Sequence, residues 1–180
     1  MEEMKRLKRE LVYTGTILKF YKDTIQTPKG NIVHWDFIGH NGAAAVVPVL
    51  EDGRILMVKQ YRNALDRIAL EIPAGARDTV NEPTLECARR ELEEETGYAS
   101  SDLEFLISLR TAIAYCDELI DVYVAKNLKA SCQQLDEDEF VEVCAYELDE
   151  LIQMIYNGTI QDAKTVAALM AYKVKYGIEK

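Results

Sequence analysis

The chain has few cysteines, and their spacing suggests no partners. Cys87, Cys116, Cys132 and Cys144 are scattered, with no CxxC pair among them. Neither a zinc site nor a disulfide framework is suggested, and packed, reduced thiols are the expectation. Long apolar runs are also missing. No segment approaches the roughly 20 residues needed to span a bilayer, and the opening MEEMKRLKRE is charged rather than apolar. A cytoplasmic protein with no membrane partner is expected. Basic charge is scarce too: 21 Lys and Arg stand against 31 Asp and Glu, a formal net charge of -10. Nucleic acid and anionic membranes both need a basic surface, so they are excluded as expected partners. If the substrate is an anion, a cation must stand between it and this protein. Repeats, low-complexity segments and Ser/Gly linkers are absent.

The 180 residues, 48% of them hydrophobic, suffice for one well-buried core with a small appendage. Residues 1–40 look separate from the rest. Segments 11–22 and 32–38 flank the turn-forming PKGN at 28–31, and Val33, Trp35 and Phe37 alternate with His34 and Asp36 as in a half-buried hairpin strand. After GHNG at 39–42, AAAVVPVL at 43–50 reads as a strand buried on both faces. RILMVKQYR at 54–62 returns as a second strand, and IALEIPAG at 68–75 is a strand broken by Pro73 and Gly75. A helix starts near Pro83 and stops at Gly97, with Leu85, Ala88 and Leu92 as its buried side. That places its glutamates off the core face. Strands at 103–109, 119–125 and 141–146 follow, then helices at 148–156 and 162–176, the last capped by Asp162. The pattern is α/β, a mixed sheet covered by helices.

One stretch of that first helix, RRELEEETGY at 89–98, crowds four glutamates into five positions. Glu91 lies three and four residues before Glu94 and Glu95, so the three share a face and oppose the helix by a few tenths of a kcal/mol per pair. Water, a basic neighbour such as Arg90, or a divalent cation must offset the repulsion. The plain reading is a solvated acidic face with an Arg90–Glu94 pair.

The spacing around this stretch resembles the signature of the Nudix hydrolases. Gly75 opens it, Glu82 follows, seven residues intervene, and Arg90-Glu91-Leu92-Glu93-Glu94-Glu95-Thr96-Gly97-Tyr98 closes it. Two departures stand out. Six residues rather than five separate Gly75 from Glu82, the extra one falling in the loop ARDTVN, and Tyr98 takes a usually aliphatic place. VKQYR at 58–62, LEIPAG at 70–75, CDE at 116–118, DEDEF at 136–140 and DAKT at 162–165 extend the resemblance to the ADP-ribose pyrophosphatase branch over nearly the whole chain.

The resemblance implies a Nudix α/β/α sandwich with a mixed sheet over 41–180. It also implies an N-terminal β subdomain over 1–40 that dimerises the protein and covers the partner's substrate site. Mg²⁺, or Mn²⁺ in its place, would be held by Glu91, Glu94 and Glu95 with a backbone carbonyl near Ala74, since such ions prefer a few oxygen ligands and substrate phosphates. Arg90 would orient or neutralise the glutamates from behind. From the acidic loop, Glu139 or Glu137 would activate water or complete the metal shell, while an EF-hand reading of that loop fails because Val141 stands where glycine is needed. Arg62 could clamp a phosphate, Trp35 could stack on a base or simply be buried, and Glu118 matches a glutamate facing the distal sugar. The implied reaction is Mg²⁺-dependent hydrolysis of a nucleoside diphosphate sugar, ADP-ribose to AMP and ribose 5-phosphate first among them. GDP-mannose or ADP-glucose stays open, because AIAYC precedes Glu118 where ADP-ribose enzymes commonly show a Pro-Gly turn. A catalytically silent ADP-ribose-binding module would need a broken carboxylate set.

Overall fold

A computed structural model describes residues 3–16, 18–135, 137 and 139–177. In chain order the elements are β1 (Lys5–Thr14), β2 (Lys19–Gln26), β3 (Ile32–Gly39), β4 (Ala43–Pro48), β5 (Ile55–Arg62), β6 (Arg67–Glu71), β7 (Ala74–Ala76), α1 (Thr84–Thr96), β8 (Tyr98–Ala99), β9 (Asp102–Arg110), β10 (Leu119–Lys126), β11 (Lys129–Ala130), β12 (Val141–Tyr146), α2 (Leu148–Tyr156) and α3 (Ala163–Tyr176). No helix among the described residues is long and apolar enough to cross a membrane.

The chain divides into two compact units, Met1–Gly42 with Arg110–Leu119, and Ala43–Leu109 with Ile120–Lys180. The sequence suggested a break after residue 40 and did not associate 110–119 with the N-terminal part. In the first unit β1, β2 and β3 form an antiparallel meander. Segment 11–22, read only as a flank of the PKGN turn, is the end of β1, a turn in which the Gly15 amide donates to the Leu18 carbonyl, and the start of β2. The alternation signal reports only exposure by face, and β1 is exposed on nearly every residue, so it could not mark this turn. Segment 110–119 joins β3 through backbone bonds, Ile38 N–H to the Tyr115 carbonyl at 2.6 Å and Asp117 N–H to the Ile38 carbonyl at 3.4 Å, and the Asp117 side chain accepts from His40 N–H at 2.9 Å.

The second unit is built on β4. All six of its residues are buried; it pairs in parallel with β10 and antiparallel with β7 in the sheet β7-β4-β10-β9. Successive strand side chains point to opposite faces, and here both faces are covered. Ala44 and Val46 with Tyr123 and Ala125 pack on Cys87, Ala88 and Leu92 of α1. Ala45 and Val47 with Val122 and Val124 pack with Leu151 and Ile152 of α2 and Ala168 and Leu169 of α3. An antiparallel sheet β12-β5-β6 adds Ile55 and Met57 to the second cluster. This is the expected α/β/α sandwich. The short pair β8 and β11 was not foreseen, because two-residue strands carry no periodic signal.

Candidate active site

α1 begins at the extended Pro83 and ends at Gly97, whose φ of 69° is the left-handed conformation glycine adopts without strain and whose amide closes on the Glu93 carbonyl at 2.9 Å. Contrary to the expectation that its glutamates stand off the core face, Glu91 and Glu95 are buried at 8% and 3% exposure. Glu93 and Glu94 are only half-buried. The strand-loop segment around β7 lies over the two buried carboxylates. Ala74 N–H donates to Glu95 Oε2 at 3.0 Å, and a Cβ on Gly75 would land on the Glu91 carboxylate. Any side chain at 75 would therefore displace the Glu91 carboxylate, and glycine leaves it in place.

Arg90 gathers the signature. Its Nη1 donates to Glu91 Oε1 at 2.6 Å and Glu94 Oε2 at 3.0 Å, its Nη2 to the Ala76 carbonyl at 3.0 Å, and its Nε lies 3.4 Å from Glu82 Oε1. Glu82 also accepts from Asp78 N–H at 2.7 Å, while Arg77 Nε donates to the Glu82 carbonyl at 2.8 Å. The loop 77–82 is thereby folded around Glu82, and the inserted residue is absorbed there while Glu82 still meets Arg90.

Burial dominates the electrostatics. It pushes Glu91 up to about 7, with Arg90 opposing and Glu94 and Glu139 adding to the rise. It pushes Glu95 up to about 8, with Glu91 and Glu139 adding and the Ala74 amide and Arg62 opposing. Glu139 therefore stands within electrostatic reach of both. It accepts from Gln60 Nε2 at 2.8 Å, and Gln60 Oε1 is buried with no partner among the described residues. Glu137 is exposed. Among the described residues no three acidic, histidine or cysteine side chains converge on one point: Glu95 is turned to the Ala74 amide, Glu91 and Glu94 to Arg90. Ala74 presents its amide to Glu95.

Arg62 ends β5, and its Nε and Nη2 donate to the two oxygens of Glu71 at 2.8 Å each. Sequence reasoning missed this partner. Glu71 is 3% exposed and also accepts from Lys164 Nζ, which bonds Asp162 Oδ2 at 3.0 Å. Lone charged residues at 71 and 164 gave no signal of their pairing, though LEIPAG and DAKT contain them. Trp35 and Glu118 both belong to the other unit. Trp35 is half-exposed and lines a cavity of about 330 Å³ with Phe37, Arg110, Tyr115 and Asp23. Glu118 accepts from Thr111 Oγ1 at 2.5 Å and lies 3.4 Å from His40 Nε2.

The sequence matches the NUDIX domain family over residues 39–169. The chain belongs to the Nudix hydrolase family. It is 38% identical over 179 residues to a Bacillus methanolicus protein named methanol dehydrogenase activator, covering 98% of this chain and 96% of that one. It is 35% identical, with the same coverage, to an ADP-ribose pyrophosphatase of Bacillus subtilis strain 168, and 32% identical to a GDP-mannose pyrophosphatase of Cronobacter sakazakii over 75% of this chain and 74% of that one. A solved structure of an ADP compounds hydrolase superposes with a TM-score of 0.88 at 22% identity, covering 98% and 96% of the two chains. That likeness establishes the Nudix fold. Nudix hydrolases generally use divalent cations. The donors here fit one in kind: carboxylate oxygens from the buried Glu91 and Glu95 and the half-buried Glu94 and Glu139, more acid than Arg90 alone neutralises, beside the Gln60 oxygen with no partner among the described residues.

Proposed function

We propose that the protein hydrolyses the pyrophosphate bond of a nucleoside diphosphate sugar, with ADP-ribose, cleaved to AMP and ribose 5-phosphate, as the leading substrate. The observation that carries this reading is the buried pair Glu91 and Glu95, both pushed up by burial and by acidic neighbours. So much unneutralised acid is costly to bury unless a ligand completes it. Glu91, Glu94 and Glu95, joined by Glu139, would hold Mg²⁺ or Mn²⁺. When bound, the cation would acidify a water and neutralise phosphate oxygens.

The chain's own groups supply the rest. Arg90 holds Glu91 and Glu94 in place. Gln60 donates to Glu139, which would accept a proton from the attacking water. Arg62, fixed in its plane by Glu71, offers guanidinium donors to a phosphate. The 35% identity to an ADP-ribose pyrophosphatase over nearly the whole chain supports the leading substrate, and the GDP-mannose pyrophosphatase relative keeps a nucleotide sugar of that type as the runner-up. An intact carboxylate set argues against a silent binding module.

A panel of ADP-ribose, ADP-glucose and GDP-mannose, assayed with Mg²⁺ for released phosphomonoester, tests the reading. Turnover of ADP-ribose foremost is expected. Binding without turnover of any member would favour the module. The Bacillus methanolicus relative's name supports a second reading, in which the protein stimulates a dehydrogenase; methanol oxidation by a methanol dehydrogenase with and without this protein tests it. A dimer formed through the N-terminal unit, with Trp35 serving the partner's site, is supported by the exposed Leu7, Leu11, Val12 and Tyr13 of β1. Light scattering that shows only a monomer removes it.

A further inference from the structure

The first turn of α3 is tied to the segment that carries the site. Asp162 caps the helix, accepting from Thr165 N–H at 2.9 Å and from Thr165 Oγ1 at 2.6 Å. Thr165, fully buried, accepts in turn from Ile72 N–H at 3.0 Å. Between these two, Lys164 reaches Glu71 Oε2 and Asp162 Oδ2. Both Glu71 oxygens are also used by Arg62, through Nε and Nη2, while Nη1 has no hydrogen-bond partner among the described residues. The Arg62 charge acts on Glu95, favouring its ionised form.

Glu71 thus stands between two cations. A carboxylate bonded by Arg62 alone could swing with the guanidinium, because both side chains turn about flexible stems. A second cation, brought from a helix 93 residues further along the chain, pins the carboxylate and through it the guanidinium plane. On the pyrophosphatase reading of the site, we propose that Lys164 is a positioning residue for Arg62, acting through Glu71, so that the free Nη1 edge of Arg62 is held toward the substrate's phosphate oxygens. Lys164 itself touches no substrate. Its effect on the reaction passes through Arg62, which a purely structural lysine would not require.

The test is a double-mutant cycle in the full-length protein. Lys164→Met keeps the stem and removes the charge. It is expected to raise KM for the turned-over nucleoside diphosphate sugar about tenfold with kcat little changed, on the scale of losing an outer support of a binding group, and Lys164→Arg is expected to restore most of the loss. In an Arg62→Ala background the same Lys164→Met change is expected to alter kcat/KM less than about twofold, because coupled residues are non-additive. A full tenfold loss persisting without Arg62, or an unchanged KM in the single variant, would overturn the proposal. Thermal unfolding of each variant separates these outcomes from loss of fold: Lys164→Arg supports the proposal by restoring KM at matched stability and overturns it by failing to. If the wild-type protein turns over no nucleoside diphosphate sugar, the proposed reaction falls by itself. The link is then read in calorimetric binding of ADP, where a tenfold weaker Kd in Lys164→Met, absent in the Arg62→Ala background, supports it and an unchanged Kd overturns it.

Discussion

Glu95 and Glu71 are equally buried, each 3% exposed, yet their carboxyl groups behave in opposite ways. Glu95 is pushed up to about 8, chiefly by burial, with acidic Glu91 as its strongest neighbour. Glu71 is also pushed up by desolvation, but it is carried down to about 2 by hydrogen bonds and charges from Arg62 and Lys164. Burial alone therefore does not set the state of a buried acid; its partners do. The Glu71 cluster is internally balanced, its acid matched by Arg62 and Lys164. The α1 cluster has more buried acid than Arg90 can satisfy, the excess that the proposed cation would neutralise.

Removing charge from the unbalanced side is expected to have the largest effect. Glu95→Gln should lower Mg²⁺-dependent turnover by roughly two to four orders of magnitude and leave the melting temperature equal or higher, since a costly buried charge is gone. Near-normal turnover, or an unfolded variant, would erase the distinction between the two clusters. The acidic loop offers a sharper version. Glu139→Gln should cost about a hundredfold in kcat, whereas Glu137→Gln, at an exposed position, should cost less than about threefold; steady-state kinetics on both variants decides, and equal losses would contradict the assignment of Glu139.

The balanced side should respond in stability. Glu71's folded-state value is depressed from 4.5 to about 2, so its stabilisation is fully present above pH 4.5 and is lost as pH falls toward 2. The shift corresponds to about 3 kcal/mol. Glu71→Gln should destabilise by a similar amount in urea unfolding at pH 6, and the gap to wild type should shrink at pH 3, where Glu71 begins to carry a proton. A pH-independent gap would mean that the cluster is held by packing rather than charge. The smallest effect expected is cation-linked stabilisation. Mg²⁺ at tenfold its Kd should add about 1.4 kcal/mol to the wild type, a rise of a few degrees, and less to Glu95→Gln. Equal rises in the two would place the cation elsewhere.

Much of the fold was legible locally. The unbroken apolar run of β4 announced a strand covered on both faces, and Pro83 and Gly97 bracketed α1 because their backbone preferences act at the residue itself. The spacing from Gly75 to Tyr98 likewise fixed which carboxylates share a helix face, since helical geometry needs only sequence separation. Residues whose meaning depends on distant partners were not legible. Helical periodicity placed Glu91 and Glu95 off the core because it ranks them as polar, and only the passage of Gly75 and Ala74 over them shows that they are buried. Arg62, Glu71 and Lys164 are ordinary charges in the sequence and become one cluster only when β5, β6 and α3 meet. Segment 110–119 joins the N-terminal strands through backbone bonds that no side-chain pattern encodes. The sequence by itself determined the helix, its glutamates and the layered sheet; the tertiary structure alone decided which acids are balanced and which are buried in excess of their cationic neighbours, because charge compensation depends on distance through space.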